Sequence, residues 1–432
     1  MIEDEIESIV LSRAWEAFNG YGLDTDDDDK EVTLVKTLDI GEGVKVGDLT
    51  WTSLDSSVVA SLVEGHSDWC EHGARLEVFS VDRAGDLRQE EPSLVLASPA
   101  CVTVLQTSTH HPALLAAGCH TGDVIIYRLD RAPSEAEIMS SVGQQGDTDN
   151  HNPVVALLWL SRSNLLSVHS SGFLRLFSVD SRKYQLQLTK TFLITATHLP
   201  RSLKPLRSGE VGLVDGAVSE DDPSNVIVST EAGCVVMTDL NSELSLSVLG
   251  TDKTFYDPVM AVYPLHTGTI SAMALSPYDD NILATAGEDL RLLLVAVTSP
   301  QSPALSFLLD RPVSSLAWSP TRPTILAAAT DRAVLLFDTI QVDIRYHRGY
   351  LNYSFLQMKT GPILKIRHTE RNISQPIVVC SFPNKVKAES TVDILIIKDK
   401  SFARYLFRNK CGFITYILKR NLFFIKILFH IN

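Results

Sequence analysis

The residues best suited to chemistry are few and poorly assembled. HSDWCEH offers His66, Cys70 and His72, a nitrogen and sulfur set of the kind that holds zinc. No second ligand pair stands at finger-like spacing, however, and the stretch falls between expected strands, which makes it a surface loop. The acid run DTDDDDK invites calcium, but an EF-hand loop beginning at Asp24 would need Gly at its sixth place and Glu at its twelfth, where Asp29 and Val35 stand. It reads as a solvated linker. GEGVKVG has the glycines of a phosphate loop without the Gly-Lys-Ser/Thr that grips a nucleotide, and it leads into a strand rather than a helix. No Gly-x-Ser-x-Gly elbow presents a nucleophilic serine, and His110-His111 reads as a turn pair. No catalytic residue, cofactor or metal is expected, and the chain is not expected to be an enzyme.

Charge excludes further classes. A net charge of -14 argues against nucleic acid and against an anionic membrane surface, both of which select basic proteins. The balance is uneven, because residues from Asp343 onward carry 16 Lys and Arg against 5 Asp and Glu, a net of +11 that leaves -25 for residues 1–342. The six cysteines have no paired spacing and read as reduced thiols of a cytosolic protein. The acidic start MIEDEIESIV lacks the basic and apolar regions of a signal peptide. No apolar run is long enough to span a bilayer; the nearest, FITYILKRNLFFIKILFHIN, is broken by Lys419, Arg420 and Lys426.

What organises the chain is repetition. TGDVIIYRLD (121–130) returns as SGFLRLFSVD (171–180), and the wider unit occurs about six times. Aligned anchors Phe79, Tyr127, Phe177, Met237, Leu294 and Phe337 recur at intervals of 48, 50, 60, 57 and 43 residues, close to the blade period of roughly 40–50 in WD-type propellers. Each unit has short apolar runs separated by Pro, Asn, Asp or Gly turns, which read as antiparallel strands. Fourth strands are expected in SLVLA, YQLQLTKTF, ELSLSVL and ALSFLLD. The fold class is therefore all-β: a WD-repeat β-propeller of about six recognisable blades, the seventh absent or degenerate. Phe79, Asp82, Tyr127, Asp130, Phe177, Asp180, Phe337 and Asp338 are its expected structural anchors, although no copy ends in Trp-Asp. Ile2, Ile6, Ile9 and Val10 fall at helical spacing before Gly20, predicting a short N-terminal helix. The expected domains are an N-terminal helix and acidic linker (1–45), the propeller (46–342) and an atypical basic, apolar C-terminal tail (343–432) that could form a makeshift last blade.

HSDW, DLRQEEPS, TGDVIIYRLDR, QLQLTKTF followed by HLPRSLK, and WSPTRP, in that order, resemble the WD-repeat intermediate chains of dynein motors, those of cytoplasmic dynein-2 above all. AWEAFNGY resembles the helix end that precedes the propeller there. The resemblance implies a non-catalytic scaffold that docks on the tail of a dynein heavy chain and pairs with a second intermediate chain, serving retrograde intraflagellar transport and cilium assembly. It implies a location in the cytoplasm, cytoskeleton and cilium. Light chains enter the partner set through an arm that the family carries upstream of the helix, whereas this chain begins almost at the helix. Trp15 and Phe18 on that helix are the expected partner-binding residues. Alternatives are an axonemal dynein intermediate chain, an unrelated WD scaffold and, from another class, a propeller enzyme. The family propeller closes with a further blade after Phe337-Asp338; here a basic, apolar stretch takes its place, either a mis-spliced or read-through end or a genuine tail.

Overall fold

The structure, a computed structural model, describes residues 32–339 apart from short connections, together with 354–357, 366–368, 377–383 and 389–397. The helix expected at 2–19, with Trp15 and Phe18, lies outside the described residues, as do Asp82 and the His66, Cys70 and His72 loop. One compact unit spans Leu34–Ile396, and it is almost wholly strand.

After β1 (Val32–Glu42) the chain builds six successive blades. Blade 1 is β2 (Val44–Trp51), β3 (Ser57–Glu64), β4 (Ala74–Ser80) and β5 (Leu94–Ser98). Blade 2 is β6 (Val102–Thr107), β7 (Leu114–Cys119), β8 (Val124–Arg128) and β9 (Glu137–Ser140). Blade 3 is β10 (Val154–Trp159), β11 (Asn164–His169), β12 (Phe173–Asp180) and β13 (Gln185–Leu193). Blade 4 begins with β14 (Leu213–Val218), β15 (Asn225–Thr230) and β16 (Cys234–Asp239). The short β17 (Ser245–Leu246) and β18 (Phe255–Tyr256) follow, and β19 (Val259–Pro264) completes the blade. Blade 5 is β20 (Ile270–Leu275), β21 (Ile282–Gly287), β22 (Arg291–Ala296) and β23 (Leu305–Leu308). Blade 6 is β24 (Val313–Trp318), β25 (Ile325–Thr330), β26 (Ala333–Asp338) and β27 (Ser354–Gln357). A seventh sheet takes β28 (Ile366–His368), β29 (Ile377–Pro383) and β30 (Glu389–Ile397) from the tail and β1 as its outer strand. Its β28 touches β24 on one side and β2 on the other, so the innermost strands form a closed ring.

The second strand of each blade shows why the sequence reads as it does. β7, β11, β15, β21 and β25 are buried along nearly their whole length, because each is covered on both faces by neighbouring blades. A strand buried on both faces has no polar alternation, hence LLAAGC, ILATAG and ILAAAT. The small residues let the sheets approach closely. At Gly118 a Cβ would lie 2.6 Å from Val154 Cγ1 and 2.7 Å from Val104 Cγ1. The outer strands, covered on one face, alternate instead: β5 buries Leu96 and Ser98 while Val95 is exposed.

The turn between second and third strands explains the repeated phrase. Gly122, Gly172 and Gly233 have φ of 89°, 92° and 78°, and in blade 5 Leu290 holds the same left-handed conformation at 61°. Glycine adopts that region without steric cost; the leucine is the exception.

Two sequence expectations are corrected here. ELSLSVL is not the fourth strand of blade 4. Its Ser245 and Leu246 pair with β18, which joins the outer edge of blade 3 in parallel at Phe192 and Tyr256, and β19 pairs with β16 in its place. Ladder length separates the two: VMAVYP pairs along β16 from Cys234 to Thr238, whereas the acidic and serine-rich ELSLS is held by only two residue pairs. The anchor alignment also slips by one residue in blades 4 and 5. Phe79, Tyr127, Phe177 and Phe337 each sit opposite the second residue of the preceding strand. The positions matching them are Thr238 and Val295, opposite Val226 and Leu283, whereas Met237 and Leu294 point to the other face.

Candidate functional site

The innermost strands surround a cavity of about 340 Å³ lined by β6, β10, β14, β20 and β24. Every innermost strand of blades 1–6 has a register shift near its start, which turns one backbone position toward its neighbour. In two blades an aspartate lies in or directly after the shift, Asp48 and Asp215. Asp48 Oδ1 accepts the Leu49 N–H at 2.8 Å and its Oδ2 accepts the Leu105 N–H of blade 2 at 2.8 Å. Asp215 Oδ1 accepts the Gly216 N–H at 2.8 Å and its Oδ2 accepts the Met273 N–H of blade 5 at 3.2 Å. Asp48 is fully buried, and Ser61 Oγ, which accepts the Asp48 N–H at 2.7 Å, donates on to the Val102 carbonyl of blade 2. These carboxylates tie one blade to the next. Asp215 is the one ionisable group among the described residues that line the cavity, and both its oxygens are engaged.

The polar cluster closest in form to a catalytic relay lies in blade 5. His266 Nδ1 is 2.9 Å from Asp289 Oδ1, and its Nε2 is 3.0 Å from Thr285 Oγ1. That is the order of a carboxylate, imidazole and hydroxyl triad. Yet Thr285 is wholly buried on β21 and His266 is 4% exposed, so the hydroxyl faces protein. Asp289 also accepts the Thr267 and Arg291 N–H groups at 3.2 Å each. The cluster thus fastens the loop before β20 to the turn after β21. Burial pushes the Asp289 carboxyl up, but the bond from His266, the Thr267 N–H and the nearby imidazole outweigh it and hold the group below the usual carboxylate range. His266 opens the stretch HTGTISAMALSP, which runs into β20.

Blade 3 carries a related pair. His169 Nδ1 lies 3.2 Å from the Asn152 carbonyl and Nε2 lies 2.8 Å from Ser167 Oγ. A carbonyl only accepts, so Nδ1 carries the proton and Nε2 accepts from the serine. Burial, reinforced by the Arg175 charge and opposed by the Asn152 bond, pulls the His169 pKa down to about 3. Lys190 sits with Nζ 4.9 Å from the Phe192 ring and 4.6 Å from the Tyr256 ring, donating to the Ser242 carbonyl at 2.6 Å and to Leu240 at 3.3 Å. It pins β18 and the loop from Leu240 onto blade 3.

Of the residues singled out from sequence, Phe79, Tyr127, Phe177 and Phe337 are buried on third strands, each on the face turned away from the following blade. Asp130 follows β8 and forms a two-pronged pair with Arg128 at 2.8 and 2.7 Å; that bond, with the Arg128 charge, outweighs burial and lowers its pKa. Asp180 ends β12 and accepts the Lys183 N–H at 3.1 Å. Asp338 ends β26 opposite Ile325. Among the described residues no group of three or more His, Cys, Asp and Glu could hold a metal ion, and no helix is long and apolar enough to cross a membrane.

The strand order agrees with the family comparison: the WD domain, G-beta repeat family matches residues 308–338, which cover β24 to β26. The mouse protein named cytoplasmic dynein 2 intermediate chain 2 is 30% identical over 357 residues, 77% of this chain and 65% of its own length. This chain is similar to dynein intermediate chains. The human protein of the same name is 29% identical over the same shares. The flagellar outer-arm dynein 78 kDa intermediate chain of Chlamydomonas reinhardtii is 24% identical over 53% of this chain and 32% of its own length. The chain therefore spans 65% of the length of the first two relatives it matches, and all three relatives are dynein intermediate chains.

Proposed function

We propose that this chain is a non-catalytic scaffold subunit of a dynein motor, of the dynein-2 type, whose propeller docks on the heavy-chain tail and pairs with a second intermediate chain for retrograde intraflagellar transport and cilium assembly. The observation that carries this reading is the 30% identity to a cytoplasmic dynein 2 intermediate chain across 77% of the chain. The inward-facing polar clusters support it, since Asp48, Asp215 and His266 are all engaged in ties between blades or loops. In this reading residues 1–45 are a handle, with Trp15 and Phe18 contacting a partner, residues 46–342 are the propeller, and residues 343–432 contribute its irregular closing part. The protein would work in the cytoplasm, at the cytoskeleton and in the cilium.

Affinity capture from ciliated cells, followed by mass spectrometry, tests this. Recovery of the dynein-2 heavy chain with a different intermediate chain supports the proposal; recovery of propeller-binding proteins without any dynein heavy chain overturns it. A second reading, an axonemal dynein intermediate chain, is favoured by the similarity to the flagellar outer-arm protein. It requires an axonemal heavy chain in the same capture.

A further inference from the structure

The sequence contains five Ser-Pro pairs, at Ser98, Ser276, Ser299, Ser302 and Ser319, and the fold treats them in two different ways. Ser98, Ser276 and Ser319 are 4%, 3% and 2% exposed. Ser98 donates its hydroxyl to the Ala100 carbonyl at 2.7 Å, and the Ser276 and Ser319 N–H groups close turns onto Ile282 and Ile325. Ser299 and Ser302 are exposed, three residues apart in the connection from β22 to β23; Gln301, Pro303 and Ala304 are exposed too, whereas Pro300 is buried, so Ser302 with Pro303 is the more open of the two pairs. In the structure the segment is a turn, with the Ser299 N–H on the Ala296 carbonyl at 3.0 Å and the Ser302 N–H on the Ser299 carbonyl at 3.5 Å; once a kinase draws it out, the proline after each serine biases that serine toward the extended backbone an active site takes. Exposed polar loop tips are also where the backbone yields most readily to an enzyme.

We propose that Ser299 and Ser302 form a tandem modification site for a proline-directed protein kinase. The enzyme would supply ATP as its magnesium complex. The serine Oγ attacks the γ-phosphorus, the bond from that phosphorus to the β-bridging oxygen breaks, ADP leaves with the electron pair, and the hydroxyl proton passes to the base of the kinase. The surroundings give the modification a consequence. The Val297 N–H donates to the Asn281 carbonyl at 2.8 Å and the Thr298 N–H to Asn281 Oδ1 at 2.9 Å. These bonds join the start of the serine turn to Asn281, at the end of the β20–β21 connection, where Asp279 and Asp280 directly precede it in sequence. Each phosphate brings about 1.5 to 2 negative charges at neutral pH, and next to aspartates it acts by repulsion. Phosphorylation therefore loosens this rim of blade 5 and leaves the buried Ser-Pro pairs untouched.

The test uses the full chain, incubated with a purified proline-directed kinase and magnesium ATP, then read by intact mass and peptide mapping. Label on Ser299, Ser302 or both, with none on Ser98, Ser276 and Ser319, and no uptake by the S299A/S302A variant, is the expected result. No uptake at either serine, or equal uptake at the buried pairs, overturns the proposal. Hydrogen exchange of the phosphorylated chain should show Thr298 and Asn281 opening about tenfold more often, the equivalent of about 1.4 kcal/mol of like-charge repulsion. Unchanged exchange there after full labelling overturns the loosening.

Discussion

Leu290 holds a backbone conformation that costs a non-glycine residue roughly 1 kcal/mol or more, at a turn where three other blades use glycine. Replacing Leu290 with Gly should raise stability by up to about 1 kcal/mol, the relief being partly offset by the greater freedom of glycine in the unfolded chain. Gly172→Ala should move stability the other way by about 1 kcal/mol or more, since its Cβ would also meet the Ile194 carbonyl oxygen at 2.9 Å. Thermal unfolding of both variants decides; two changes of the same sign would show that the backbone is not the cause. Asp48→Ala should cost about 1–3 kcal/mol, because it strips buried N–H groups on two blades of an acceptor. The same change at the less buried Asp215 should cost less. His169 gives the pH dependence. Its folded pKa, about 3, lies below an unfolded value near 6.5, so between those limits only the unfolded chain binds this proton, and the His169 contribution falls as pH drops. The slope reaches at most about 1.4 kcal/mol per pH unit. Denaturant melts from pH 7 to pH 4 should show it, and His169→Gln should flatten it; an unchanged slope in the variant would assign the acid sensitivity elsewhere.

At the scale of elements, β17 and β18 are too short to persist alone, two residues each, and they hold through Lys190. Lys190→Ala removes a charged donor from two carbonyls and a cation from two rings, contacts worth about 1.5–3 and 0.5–2 kcal/mol in comparable settings. The expected outcome is protease cleavage between residues 240 and 258 at a rate well above that of the parent, with blades 1, 2 and 6 still protected. A cleavage pattern identical to the parent's would show that the rings and the backbone alone suffice. The misplacement of the fourth strand of blade 4 in the sequence reading has the same origin: ELSLSVL alternates well enough to be a strand, but its partner is chosen by what lies across the gap.

For the whole molecule, the seventh sheet matters most. Its innermost strand β28 has three residues where those of blades 1–6 have six or eight, so fewer ladder bonds close the ring. An unclosed ring leaves sheet flanks available to other chains. Hydrogen exchange should therefore be faster across β28–β30 than across β21 and β25, and removing residues from 358 onward should lower the melting temperature and promote association. Exchange in β29 and β30 as slow as in β25 would show that the closing sheet is as firm as the others.

The sequence by itself determined the repeat, the turn glycines and the strand-like runs, because each of these is written within one unit of 40 to 60 residues, and the resemblance to dynein intermediate chains, because its strings stand in order along the chain. Four third-strand aromatics were legible for the same reason: each stands at a fixed distance from its turn. The register of blades 4 and 5 was not. In VVMTDL the buried anchor is Thr238 and the apolar Met237 is only half-buried, and LLLVAV is apolar on both faces, so hydropathy does not tell Met237 from Thr238 or Leu294 from Val295, and only the blade packed on each side assigns the face. The ties through Asp48, Asp215 and His266 were also left to the tertiary structure. Their partners lie 57, 58 and 19 to 23 residues away, and a carboxylate or imidazole in an apolar strand shows no sign, in one sequence, of the N–H or hydroxyl that folding will bring to it.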